Sequence, residues 1–215
     1  MQETTCRLLI IGGGPAGYVC AIRAGQLGID TVLIEEGRLG GTCLTVGCIP
    51  SKALIHVAGE FHRIDSLSRT PVAGVRGLGA SFDMAQAVSW KDGIVNQLTG
   101  GVEALLRKAK VRVIRGRADL RDGKTAMVHG DTGTQMIRAE VLVLATGSEP
   151  VELPMLPFGG AILSSTDALA LTDLPKSLAV VGGGYIGLEL GTAFAKLGTA
   201  VTVIEAGARL LPAWD

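Results

Sequence analysis

Charge of one sign is missing: twenty basic residues balance twenty acidic ones, so no basic field marks the chain as a binder of nucleic acid or of anionic membrane. Small-molecule partners are favoured. The N-terminus lacks a basic region followed by a long apolar stretch and a cleavage site, and no apolar run is expected to reach membrane-spanning length, so the expectation is a soluble, cytoplasmic protein. Cysteine is sparse. Four in 215 residues exclude a secreted disulfide scaffold and leave any one pair available for chemistry. Aromatics are scarce as well, at 4%. Glycine is abundant instead, with 31 residues, so tight turns and close backbone approaches should be frequent. The 47% hydrophobic content is enough to fill a sizeable core.

An internal repeat organises the chain. Residues 8–37 read LLIIGGGPAGYVCAIRAGQLGIDTVLIEEG and residues 178–207 read LAVVGGGYIGLELGTAFAKLGTAVTVIEAG. Each copy runs from an apolar strand through a glycine turn, a helix with small residues, Leu-Gly and a second apolar strand to Glu. Gly12 and Glu35 are 23 positions apart, as are Gly182 and Glu205. The pattern predicts two Rossmann-like βαβ nucleotide-binding units, an α/β fold class. The first glycine permits the tight turn, the second lets backbone approach a pyrophosphate, and the third lets helix pack on strand. These are Gly12, Gly14 and Gly17 in copy one, and Gly182, Gly184 and Gly187 in copy two. Glu35 and Glu205 are placed to accept from a ribose; the bland reading of each is a solvated carboxylate at a strand end. A carboxylate at 205 would repel a 2′-phosphate, which points to NAD and away from NADP.

Between the copies, Pro50 is suited to a first helical turn and predicts a helix from about 50 to 64, with Cys48 at its start. Residues 65–80 read as a loop. Met84, Ala87, Trp90, Ile94, Leu98, Val102 and Leu105 recur at three- and four-residue steps and predict the buried stripe of a helix over 83–109, with Trp90 in the core. Residues 111–114 read as a short strand. Residues 118–143 read as antiparallel strands around turns at Asp122-Gly123 and Asp131-Thr132-Gly133, and Val141–Leu144 as a fully buried strand. The stretch from Pro150 to Pro157 reads as a linker. A nucleotide-binding domain over 1–149 and a second, incomplete one over 150–215 follow.

Cys43 and Cys48 lie five positions apart in GGTCLTVGCIPSK, just beyond the first glycine cluster. A pair of buried thiols at this spacing is most often inert. Three neighbours argue for redox chemistry here. Gly40, Gly41 and Gly47 let the loop fold tightly, a helix start at Cys48 favours the thiolate, and Lys52 adds a cation one turn on. Cys6 and Cys20 fall at a strand start and in a glycine-rich helix and read as packing residues.

The run GGTCLTVGCIPSKALIH resembles the disulfide motif of the flavoprotein disulfide reductases, and within them the dihydrolipoamide dehydrogenases. The stretch VELPMLPFGGAILSSTDAL is similar to the form serving branched-chain 2-oxoacid dehydrogenase complexes. The resemblance implies FAD on copy one and NAD on copy two. It implies FAD contacts at Gly12, Gly14, Ala16, Gly17, Glu35, Gly41, Thr42, Cys43, Lys52, Gly116, Ala118, Thr146, Gly147 and Ser148, and NAD contacts at Gly182, Gly184, Tyr185, Ile186, Gly187 and Glu205. It also implies a Cys43–Cys48 redox disulfide, with Cys43 exchanging with the lipoyl group and Cys48 facing the flavin. Lys52 and Glu189 would form an ion pair near the flavin. No metal is implied. The implied partners are dihydrolipoamide on a lipoyl carrier domain and a second copy of the full-length subunit.

Two departures stand out. Thr45 replaces the usual Asn, and the chain is about half the family's length, ending part-way through the second unit. The family's base, a His from the partner subunit, has no counterpart in His56, His62 or His129. The expectation is a chain inactive alone. A glutathione-type or mercuric reductase stays open, although Glu205 and Ser51 disfavour the first, as does a non-catalytic FAD-binding fragment.

Overall fold

The structure is a computed structural model, described over residues 2–72, 74–131 and 133–211. In chain order its elements are β1 (Gln2–Ile11), α1 (Pro15–Gln26), β2 (Thr31–Glu35), α2 (Gly41–Thr45), α3 (Cys48–Arg69), α4 (Met84–Lys108), β3 (Arg112–Arg115), β4 (Arg117–Leu120), β5 (Thr125–Gly130), β6 (Gly133–Leu144), α5 (Ser165–Leu169), β7 (Ser177–Val181), α6 (Tyr185–Lys196) and β8 (Ala200–Ile204). They divide into two compact units, the first comprising residues 1–48 and 94–149, the second residues 49–93 and 150–215.

The first unit is built on a six-stranded sheet in the order β3-β2-β1-β6-β5-β4. β1 pairs in parallel with β2 and β6, and β2 with β3, while β4, β5 and β6 form an antiparallel meander. Strands buried on both faces read as continuous apolar runs, and β2 is of this kind. Leu9, Ile11, Val32, Ile34, Val128 and Ile137 pack into one cluster. Small residues bring α1 close: Gly17, Ala21 and Ala24 are its buried face, and a Cβ on Gly25 would overlap the Ala109 carbonyl.

The second unit contains the parallel pair β7–β8, connected by α6. Phe194 is fully buried among Leu190, Ala193, Leu197, Leu54, Met84, Val88 and Leu169. Helix α5 has no counterpart in the sequence reading, yet its signal was present: Ser164 and Asp167 form a reciprocal capping box. The Ser164 hydroxyl and amide hold the Asp167 carboxyl below its ordinary value.

Several expectations need correction. Helix α3 begins two residues earlier and ends five later than 50–64, which shortens the following loop; Ala73 of that loop and Thr132 of the 131–133 turn lie outside the described residues. By length and composition the stretch Gly41–Arg69 is long and apolar enough to cross a membrane. In the fold, its Leu54 and Ala58 belong to the core of the second unit. The buried face of α4 is Met84, Val88, Val95, Val102 and Leu106, not the stripe through Trp90 and Leu98. Two apolar stripes lie about 100° apart on this helix, and the one carrying smaller β-branched residues packs inward. Trp90 is 48% exposed and rests against the His56 ring, centroids 6.3 Å apart. Val141 and Leu144 are also exposed rather than buried. Beyond Glu140, β6 pairs with β1 on one side while its register with β5 ends at Arg138. His129 lies in β5.

Candidate nucleotide and dithiol site

The glycine turn after β1 is shaped by backbone crowding. Gly12 has φ +104°, where L side chains are strained, and a Cβ there would overlap the carbonyl of Ala145. Three strand ends converge at this point: the Gly12 amide donates to Ile34 O at 2.8 Å and the Ala145 amide to Ile11 O at 2.8 Å. A Cβ on Gly17 would overlap the Gly12 carbonyl, so this glycine sets the distance from helix to strand. Helix α1 starts at Pro15 with Gly14 as N-cap, no side chain caps it, and its first turn holds no acid. Such a helix end presents amides and a partial positive charge to an anion.

The first cysteine is carried to that helix end by the next loop. The Gly40 amide donates to Gly13 O at 2.9 Å. Gly41 has φ +59°, and a Cβ there would lie 2.5 Å from Gly14 Cα. Only glycine at 41 allows this approach. Thr45, the departure from the family pattern, donates its hydroxyl to Gly41 O at 2.9 Å. A Cβ on Gly47 would lie 2.8 Å from Thr42 O, so the chain folds back tightly there before α3 opens at Cys48. Cys43 is half-buried and Cys48 exposed.

These parts enclose a cleft of about 660 Å³, within the range of about 300–1,000 Å³ for small-molecule sites. Of the residues assigned to FAD, Gly12, Gly14, Ala16, Glu35, Gly41, Thr42, Cys43, Thr146, Gly147 and Ser148 line it. The other four do not. Gly17 packs beneath it, Gly116 donates its amide to Glu35 O at 3.0 Å, Ala118 lies in β4, and Lys52 is exposed on α3 in the second unit. Glycines where a Cβ would intrude, an uncapped helix end and a carboxylate at the strand end fit a dinucleotide. The sequence reading missed Pro15, Gly37, Arg38, Thr45, Val46, Leu144 and Ala145 in this lining. Only Gly37 carried a usable signal, since Glu-x-Gly ends both repeat copies.

In copy two, Gly182 has φ +102°, Gly184 is the N-cap of α6, and again no side chain caps the helix. Tyr185 and Ile186 are exposed at its first turn. A Cβ on Gly187 would lie 2.5 Å from Gly182 O. Glu205 accepts from the Gly207 amide at 2.6 Å and the Gly183 amide at 2.7 Å. These two bonds, the first the stronger, hold its carboxyl below the ordinary value. Glu189 is exposed on α6, and among the described residues no ion pair joins it to Lys52. Burial raises the Cys6 thiol above its ordinary value, as suits a packing residue. No cluster able to hold a metal ion is present among the described residues.

The model of the family described as pyridine nucleotide-disulphide oxidoreductase matches residues 6–215. The chain belongs to this family. Among curated members, a dihydrolipoyl dehydrogenase of Pseudomonas aeruginosa is 57% identical over 97% of the chain and 45% of its own length. One of Geobacillus stearothermophilus is 45% identical over 96% of the chain and 43% of its own length. The chain thus spans a little under half the length of these relatives. Among solved structures, LpdA from Mycobacterium tuberculosis is similar with a TM-score of 0.85 at 27% identity, over 96% of this chain and 46% of that one. The HOCl-induced flavoprotein disulfide reductase RclA from Escherichia coli, in a Cu(II) complex, gives a TM-score of 0.81 at 31% identity, over 99% of this chain and 45% of that one.

Proposed function

We propose that this chain supplies the dithiol and nucleotide sites of a dihydrolipoamide dehydrogenase, with residues 1–149 for FAD and 150–215 for NAD. The observation that carries the reading is Cys43 in the lining of the same cleft as the glycine loop and Glu35, together with 57% identity to a dihydrolipoyl dehydrogenase.

The cysteine exchange balances in atoms and electrons, its two thiol protons leaving to a base or to solvent. A thiolate of dihydrolipoamide attacks Cys43 Sγ of the Cys43–Cys48 disulfide, breaking the S–S bond and releasing Cys48 as thiolate. The second lipoyl thiol, once deprotonated, then displaces Cys43 from the mixed disulfide. Lipoamide leaves oxidised and the cysteine pair holds two electrons. Lys52 lies one turn beyond Cys48 on α3, and Glu189 is the partner that the resemblance assigns to it. Bound FAD supplies two-electron transfer between this dithiol and nicotinamide. At copy two, Gly182, Gly184 and Gly187 would let backbone approach the pyrophosphate of NAD, Tyr185 and Ile186 would line its path, and Glu205 would accept from its ribose. The setting is a cytoplasmic homodimer working on the lipoyl carrier of a branched-chain 2-oxoacid complex.

The test is to titrate the chain with FAD, then add dihydrolipoamide anaerobically and count thiols. Uptake of one FAD and appearance of two protein thiols per chain are expected, and Cys43→Ser abolishes the second but not the first. A chain that binds no flavin overturns the reading. Likeness to RclA favours a second reading, reduction of another disulfide or of a thiophilic metal ion; thiols formed by NADH but not by dihydrolipoamide would select it.

A further inference from the structure

The turn that follows β2, Glu36-Gly37-Arg38, is tethered at each residue. Glu36 faces Arg117 of β4 at 3.7 Å. Arg38 donates to Asn96 Oδ1 of α4 at 2.6 Å. Between them Arg115, the last residue of β3, donates from Nη1 to the Gly37 carbonyl at 2.8 Å and from Nη2 to Glu103 Oε1 of α4 at 3.3 Å. Gly37 in turn donates its amide to Glu35 Oε1 at 2.7 Å, and Glu35 Oε2 accepts from the Gly13 amide at 2.6 Å. One line of hydrogen bonds therefore joins α4, β3, the turn, the carboxylate and the glycine loop, all within the first unit.

We infer that Arg115 is a positioning residue for the dinucleotide of copy one. It acts through Gly37: by pinning that carbonyl it aims the Gly37 amide at Glu35, which keeps the carboxylate facing the ribose side of the cleft. A turn with glycine at its centre samples many conformations when untethered. A guanidinium donor makes a bond roughly twice as strong as a neutral one. The Arg115–Glu103 pair is itself largely exposed and contributes little alone, so the bond to Gly37 is the effective one. Arg115 lies outside the lining of the cleft, so its route to the ligand runs through Gly37.

The inference rests on the FAD reading of copy one, and the experiment separates the two. FAD and its 2′-deoxyadenosine analogue are titrated against the chain by flavin fluorescence, for the parent, Arg115→Met, Arg115→Lys and Glu103→Gln. The parent prefers FAD, through Glu35. In Arg115→Met, binding of FAD weakens about five- to tenfold, the size of one ordinary hydrogen bond, while the deoxy analogue is little changed, so the preference collapses. Lys at 115 restores most of it, and Glu103→Gln stays within about twofold. Amide exchange at Gly13 and Gly37 without flavin is faster in Arg115→Met than in Arg115→Lys. A purely structural role weakens both flavins alike, and that result overturns the inference, as does an unchanged preference or a parent without one. If Arg115→Met does not fold, unequal exchange at Gly13 and Gly37 between parent and Arg115→Lys supports the inference, and equal exchange overturns it. A parent that takes up no FAD overturns the FAD reading and this inference with it.

Discussion

The two repeat copies share their local geometry and differ in what surrounds it. The first glycine sits at φ +104° in one and +102° in the other. Its amide donates at 2.8 Å to Ile34 O or Ile204 O. Each strand-end glutamate spans the same two amides at 2.6–2.7 Å. A further bond closes each turn at 2.9 Å, from Gly40 to Gly13 O and from Leu211 to Gly183 O. Burial does not repeat: Ile34 is 1% exposed and Ile204 53%. A Cβ on Gly12 would overlap the Ala145 carbonyl, whereas a Cβ on Gly182 would meet nothing within 4 Å. The loop geometry is thus a property of thirty residues, and the depth of the cradle is a property of the neighbouring strands.

The sharpest way to break this comparison is to add one methyl group to each turn. Gly12→Ala forces a side chain into both a left-handed conformation and a backbone carbonyl, and is expected to destabilise the first unit by more than about 4 kcal/mol. Gly182→Ala meets the conformational cost alone, about 1–2 kcal/mol. Denaturant unfolding followed by unit-resolved hydrogen exchange measures both, and equal losses would refute the distinction.

Next in size is the pair Ile34→Ala and Ile204→Ala. The buried site is expected to lose about 2–5 kcal/mol through lost transfer energy and a cavity, the exposed one about 0.5 kcal/mol. The same exchange experiment reads both.

The smallest effect is a pH dependence that sharpens the copy-two description. Amides at Gly207 and Gly183 lower the folded-state pKa of Glu205, so the carboxylate's contribution is whole above its unfolded value of about 4.3. It fades as pH falls through the lowered folded value. Backbone NMR across that acid range should show the Gly183 and Gly207 amide shifts moving together, and in Glu205→Gln that titration should vanish. Independent titration of the two amides would contradict a shared carboxylate.

Much of this was legible in the chain. The repeat, its glycines and Glu35 and Glu205 follow from periodicity and spacing, because a strand–turn–helix passage constrains each residue locally. The cysteine loop was legible for the same reason, since Gly41 and Gly47 stand where backbone meets backbone. The face of α4 was not. Trp90 and Val88 belong to rival apolar stripes, and choosing between them takes the surface against which the helix packs. Nor was the exposure of Val141 and Leu144 legible, because an apolar run does not say how many strands flank it.

The sequence by itself determined the two βαβ units, their glycine turns and the tight loop that carries the cysteines, since these depend on contacts within a few tens of residues. Tertiary structure alone decided which glycine is crowded, which apolar stripe is buried and that Arg115 reaches Gly37 across 78 positions. Those depend on where distant strands and helices come to rest, and packing, unlike turn geometry, has no local code.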